Sequence, residues 1–243
     1  MLGSLLWRGM LAGLCAGILA FGFASVVGEP QVNTAISFEE QQARAAGEPS
    51  MPPLVPRDVQ STAGLFTGVA LYGVAFGGLF ALAFAAAFGR VRRASPSRTA
   101  LWLAAGVFGV VVLVPGLKYP ANPPAIGQEA TIGSRAGLYF AMVGVSVLAA
   151  ILAVWLSTRL QGRWGATRAT LAAIASYLVV VVVAGLLLPA YDEVPRTFPA
   201  DTLWNFRVAS LGVQAITWTA IGLLFAWFAE RVMRRPGPGR TSP

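Results

Sequence analysis

Six apolar runs, each about 20 residues long, constrain this chain more than any other feature. A run of that length lets a helix cross a hydrocarbon layer about 30 Å thick. Only 12% of the 243 residues are charged, about half the usual share in a water-soluble domain. The sequence therefore predicts an all-α, polytopic transmembrane helical bundle in a lipid bilayer, formed as one transmembrane domain by residues 1–235. The predicted spans are Leu5–Val27, Thr62–Phe88, Ala100–Leu117, Ala136–Leu156, Ala169–Leu188 and Val208–Phe228.

The basic residues predict which side of the membrane each loop occupies. With six spans, one side holds twelve of the 18 Lys and Arg residues with a single acid, Glu230, and the other side holds nine of the ten acids. Because Lys and Arg in short loops stay in the cytoplasm, both termini are expected there, and the spans form three hairpins that open outward. A five-span arrangement would place one basic end outside. Residues 236–243 are expected to form a disordered cytoplasmic tail.

Absent residue types exclude several classes of function. The chain has no histidine, which removes HExxH zinc sites, Ser-His-Asp triads and histidine haem ligands. No enzyme and no resident cofactor are therefore expected. The net charge of +8 does not indicate nucleic-acid binding, because the arginines lie in short patches between apolar runs rather than along a polar helix with aromatic residues.

Glycine recurs every four residues in the first two spans. Gly9, Gly13 and Gly17 lie in the first, and Gly73 and Gly77 in the second, together with Gly64 and Gly68. Small residues at this spacing allow helix backbones to approach closely in lipid. The pattern predicts tight packing between these helices.

Polar and proline residues concentrate in three outer segments, Gly28–Glu40, Leu117–Gly127 and Pro189–Pro199. Carboxylate and amide oxygens suit hard and borderline divalent cations, and an acidic mouth raises the local cation concentration. The outer segments therefore suggest a metal-collecting surface, although acids could lie there only because arginine is kept inside. The candidate metal ligands are Glu29, Asn33, Glu39, Glu40, Asn122, Asp192 and Glu193.

Local signals in the outer segments predict further structure. The first outer segment, residues 28–61, could contain a short surface helix over 34–46, with Asn33 as N-cap and Gly47 as its stop. Lys118, Arg135 and Arg207 lie close to the same acids and are expected to form structural or gating pairs with them. If these basic groups neutralise the carboxylates, the metal site shrinks or disappears.

Several motifs resemble the CbtA family. They are RGMLAG at Arg8–Gly13, GEPQV and FEE in the first outer segment, KYPANPP in the second, and LWNFRVASLG at Leu203–Gly212. The resemblance covers most of the chain. It implies a cobalt transporter subunit that acts with a small single-span partner, CbtB, which carries a histidine motif, and that is associated with cobalamin biosynthesis. Family members are usually drawn with five spans, whereas the charge distribution here favours six.

Together these features predict an integral membrane component of a divalent-metal uptake system, with cobalt as the first choice of cation. Its place would be the cytoplasmic membrane of a prokaryote, with outer carboxylates collecting the cation. The alternative is a non-transporting accessory or assembly subunit that binds a partner through its outer loops.

Overall fold

Six long helices make up the computed structural model, which describes residues 2–47, 54–89 and 94–233. All six are long and apolar enough to cross a membrane, and no strand occurs in the described ranges. The predicted all-α, multi-pass bundle and its six spans are confirmed, while the location of the termini stays a prediction. The predicted tail, 236–243, lies outside the described residues. The helices are α1 (Leu2–Ala45), α2 (Arg57–Ala87), α3 (Pro96–Lys118), α4 (Glu129–Trp164), α5 (Ala166–Leu187) and α6 (Ala200–Met233).

The chain divides into two compact units. Unit 1 comprises Met1–Phe21, Ala63–Gly106 and Ala215–Pro243, and unit 2 comprises Gly22–Thr62 and Val107–Gln214. Unit 1 therefore takes parts of α1, α2, α3 and α6, whereas α4 and α5 belong wholly to unit 2. The three polar segments singled out in the sequence all fall within unit 2.

Glycine contacts hold α1 against α2 in unit 1. A Cβ atom added at Gly13 would lie 2.7 Å from the carbonyl carbon of Gly73, and one at Gly17 would lie 2.9 Å from the oxygen of Val69. Both distances are shorter than real Cβ contacts, so only glycine fits. The partner's residue number falls as that of α1 rises, which makes the two helices antiparallel. Gly68 faces open space, so the predicted tight packing holds for only part of the glycine pattern.

Aromatic rings fill the rest of unit 1. Phe225 of α6 contacts Phe80 and Phe84 of α2, with ring centroids 5.2 and 5.0 Å apart in edge-to-face geometry. All three side chains are buried. Since lipid tails are as apolar as these side chains, close van der Waals packing rather than water exclusion stabilises such contacts.

The first helix is longer than the sequence predicts. The span was expected to end at Val27 and a separate surface helix to begin at 34, but α1 runs without interruption to Ala45. A π-helical turn over Ala24–Gly28 precedes Pro30. Proline has no N–H to donate to the carbonyl oxygen four residues earlier. The wider π turn allows that oxygen to accept a hydrogen bond from the N–H of a later residue instead. Asn33 is therefore inside a helix and is not an N-cap.

Helix α3 also contains a π-helical turn before a proline. A π-helical turn over Phe108–Leu113 precedes Pro115. The hydroxyl of Ser146 on α4 donates to the carbonyl oxygen of Val110 at 2.7 Å and lies 2.9 Å from the hydroxyl of Tyr177 on α5. Ser146 is fully buried, so this chain of hydrogen bonds satisfies its polar group within unit 2.

Replacing Gly13 with alanine should destabilise unit 1. The added methyl group collides with the backbone of α2, and such overpacking costs about 1–3 kcal/mol. Gly68→Ala is the matched control, because its methyl group meets open space and the change removes a helix-weakening glycine. Equilibrium unfolding in mixed micelles measures both variants. Equal stability of the two would contradict the glycine contact.

Candidate functional site

The three polar segments come together in unit 2 around a small apolar core. Ala35 of α1, Ile126 of the α3–α4 segment and Phe198 of the α5–α6 segment are buried against one another. The rings of Phe38 and Phe198 meet edge to face at 5.0 Å. We call this part of unit 2 the loop assembly, meaning residues 29–45, 54–62, 118–135 and 188–207. Its apolar core fixes the backbone from which the candidate ligands project.

Arg57, at the start of α2, contacts two of the candidate ligands, Glu29 and Asn33. Its Nη2 donates to the Glu29 carboxylate, and its Nε donates to Oδ1 of Asn33 at 3.0 Å. Glu29 and Asn33 lie one helical turn apart on α1, so one guanidinium reaches both. The guanidinium cation of Arg57, a residue of the same chain, thus brings these two predicted ligands together.

Glu193 lies at the centre of a second cluster. Its Oε2 accepts the backbone N–H of Gln128 at 2.9 Å, lies 3.0 Å from the Thr131 hydroxyl, and is 3.5 Å from Nε of Arg135. The Thr131 hydrogen bond, the Gln128 N–H and the Arg135 charge lower the pKa of Glu193, in that order, and outweigh the opposing desolvation. The carboxylate therefore stays ionised.

Gly127 is required for this cluster for two reasons. Its φ of +111° lies in a region that side chains rarely adopt. A Cβ atom there would also collide with the guanidinium of Arg135. Arg135 Nη2 in turn donates to the carbonyl oxygen of Gln128 at 3.3 Å, so glycine allows the arginine to lie directly on the loop.

The KYPANPP motif is hydrogen-bonded to two distant residues, Arg207 and Pro189. Nη2 of Arg207 on α6 donates to Oδ1 of Asn122 at 2.9 Å, and the Tyr119 hydroxyl donates to the carbonyl oxygen of Pro189 at 2.7 Å. Desolvation, followed by the neighbouring Tyr191, raises the pKa of Tyr119, which keeps it protonated as a donor. Lys118 lies 5.7 Å from the Tyr119 ring centroid. Asn122 is therefore the fourth candidate ligand that an arginine contacts, after Glu29, Asn33 and Glu193.

The remaining candidate ligands are acids on the surface. Glu40 pairs with Arg44 at 3.4 Å. Glu39 and Asp192 are exposed and have no hydrogen-bond or ion-pair partner in the described part of the chain. Within residues 2–47, 54–89 and 94–233, no group of three or more His, Cys, Asp or Glu side chains is placed to hold a metal ion. The loop assembly gathers the polar segments without gathering their acids into one site.

A comparison with known protein families decides the identity of the chain. The sequence model of the family described as "Probable cobalt transporter subunit (CbtA)" matches residues 2–230, nearly the whole sequence. The chain belongs to the CbtA family. No curated protein and no solved structure matches it. The family membership and the six spans together establish a multi-pass membrane protein of a transporter-subunit family.

Sequence reasoning missed several residues of the loop assembly. Arg57, Gln128 and Thr131 were not singled out, although each contacts a predicted ligand. A shared position along the sequence could have pointed to Arg57. Arg135 and Arg207 come just before the predicted fourth and sixth spans, and Arg57 likewise comes shortly before the predicted second span. The backbone donor of Gln128 has no such signal, since any residue type carries an N–H.

Arg57→Gln should lower the free energy of unfolding by about 1–3 kcal/mol, because it leaves the Glu29 carboxylate without its partner. The side chains of Arg57 and Glu29 are only 30% and 14% exposed. Arg44→Gln is the control, since Arg44 and Glu40 are 72% and 59% exposed and such pairs contribute about 0.5 kcal/mol or less. Chemical unfolding in micelles compares the two variants. An equal loss of stability in both would contradict the conclusion that the contacts of Arg57 stabilise the fold.

The stabilising effect of Glu193 should depend on pH. A carboxyl group whose pKa is lowered in the folded state stabilises the fold above its ordinary pKa of 4.5 and loses that effect as pH falls through the lowered value. Glu193→Gln should therefore be less stable than the wild type at neutral pH and approach it below about pH 4. Unfolding temperatures of both proteins between about pH 7 and pH 3 test this. A difference that does not change with pH would show that Glu193 contributes no ionic stabilisation.

Proposed function

We propose that this chain is the membrane subunit of a divalent-cation uptake system, with cobalt as its cation, in the cytoplasmic membrane of a prokaryote. The observation that carries the proposal is the family match over residues 2–230. Six candidate membrane spans support it, as does the charge distribution, which favours a cytoplasmic location for both termini. The loop assembly then faces outward, where a cation arrives.

The outer acids have two different tasks in this proposal. Glu29 and Glu193 hold the loop assembly together through Arg57 and Arg135. Glu39 and Asp192 are exposed carboxylates that concentrate divalent cations at the outer surface. Asn33, Glu40 and Asn122 already contact arginines, so they act as ligands only where a cation displaces a guanidinium. Displacement from Asn122 is how Arg207 would take part in gating, whereas Arg135 pairs with Glu193 and Lys118 lies beside the Tyr119 ring.

A second chain completes the system in this proposal. The chain contains no histidine and no nucleotide-binding motif, so metal capture through imidazole and any use of ATP belong to other subunits. A small single-span protein of the CbtB kind, which carries a histidine motif, is the proposed partner. The chain itself acts as a conduit and not as an enzyme, and it holds no resident cofactor.

Removing the two unpaired carboxylates should impair cobalt uptake without unfolding the protein. Glu39→Gln combined with Asp192→Asn should slow radiocobalt uptake about tenfold at low ionic strength, where electrostatic steering is strongest. Glu129→Gln is the matched control, because Glu129 is an exposed acid of the same assembly outside the candidate set. Wild-type uptake in the double variant, at equal protein level, would contradict the collecting role.

An accessory subunit is the second candidate function. It is favoured by one observation, the occupation of Glu29, Asn122 and Glu193 by arginines within the chain. In that case the loop assembly is a rigid docking surface and Lys118–Pro124 and Leu203–Arg207 contact a partner. The double variant would then leave uptake intact, whereas substitutions in these two stretches would abolish co-purification of the partner.

A further inference from the structure

Three arginines at helix ends each lie over a tryptophan ring. Arg8 is 5.3 Å from the ring centroid of Trp7, Arg159 is 5.5 Å from that of Trp155, and Arg231 is 3.6 Å from that of Trp227. All three indole rings are exposed. We call these the Arg–Trp pairs. Cations within about 6 Å of an indole centroid are attracted to its face.

No acid neutralises these three arginines in the part of the chain that the structure describes. Glu230 lies next to Arg231 in sequence, but its Oε1 accepts the hydroxyl of Ser97 at 2.7 Å. The Nε atom of Arg8 is shielded from solvent and has no acceptor. The described residues therefore offer these three arginines no carboxylate partner.

Each arginine lies near the end of a candidate membrane span, which is the depth at which a spanning helix meets the headgroups. Arg8 is six residues from the start of α1, about 9 Å along the axis, and a helical side chain leans towards the N-terminus, which here is the nearby helix end. Arg231 is two residues from the end of α6, and Arg159 is five residues from the end of α4. Tryptophan is enriched at this depth, because its ring is apolar and its N–H is polar.

An arginine beside an indole ring can still bind an anion. The N–H donors of a guanidinium lie in its plane and match two oxygens of a phosphate in a bidentate contact. Arg231 lies close enough to the Trp227 ring for the two groups to pack together, and that contact restricts the arginine side chain before a phosphate binds.

We propose that the Arg–Trp pairs bind the phosphate groups of anionic phospholipids. A bilayer offers a phosphate at every helix end, so it satisfies pairs on three separate helices without a protein partner that contacts all of them. The net negative charge of an anionic lipid is the selected feature, because Lys and Arg side chains near an anionic membrane surface are attracted to it. Zwitterionic lipids carry phosphate but lack that net charge.

Lipid titrations of the purified full-length chain in detergent test this site. Native mass spectrometry gives the affinity for phosphatidylglycerol and for phosphatidylcholine. The wild type should bind phosphatidylglycerol more tightly, and Arg231→Gln should weaken that binding about fivefold, the fold-change that corresponds to about 1 kcal/mol. Combining Arg8→Gln, Arg159→Gln and Arg231→Gln should remove the preference while leaving phosphatidylcholine binding unchanged.

Arg44→Gln serves as the charge-matched control and should keep the preference, because Arg44 pairs with Glu40 and has no indole beside it. Equal affinity of the wild type for both lipids overturns the proposal. So does a preference that persists in the triple variant. If the triple variant fails to fold, the single variant Arg231→Gln decides the test, because Arg231 is exposed near a helix end. Unchanged binding of phosphatidylglycerol by this variant also overturns the proposal.

Discussion

Arginines near the N-terminal ends of three helices determine what the polar side chains of the loop assembly can do. Arg57, Arg135 and Arg207 contact Glu29, Glu193 and Asn122, respectively. A charged group close to an apolar layer is costly unless it is paired, so each contact stabilises both partners. The same contacts remove those oxygens from the set that is free to bind a cation.

In the proposed function, the paired acids and the unpaired acids have different roles. Glu193, held by a backbone N–H, a hydroxyl and a guanidinium, has the environment of a structural carboxylate that stays ionised. Glu39 and Asp192 are exposed and unpaired within the described residues, which suits transient contact with a cation in solution. A surface that collects ions benefits from weak contacts, because a cation that binds too tightly does not move on.

The sequence predicted the features that depend on local composition. Six apolar runs gave six helices, and the four-residue glycine spacing predicted the close packing of α1 and α2 that Gly13 and Gly73 show. Each of these follows from hydrophobicity or from helical periodicity within one or two segments.

The features that the sequence did not predict depend on long-range contacts or on backbone detail. Arg57 meets Asn33 across 24 residues, and Arg207 meets Asn122 across 85, so no periodicity links them. The continuity of α1 through Pro30 depends on a π turn, and a proline after a glycine normally signals a break. The predicted metal ligands were chosen by type, and their pairing with arginines became visible only when the loops were in place.

The proposed function requires this chain for the entry of cobalt into the cell. The most direct measurement is radiocobalt accumulation in cells that lack other cobalt importers, comparing cells that express this chain, its small partner, both or neither. The account predicts accumulation that requires this chain and is greatest with both proteins. Accumulation that is the same with and without this chain, at verified protein levels, would contradict it.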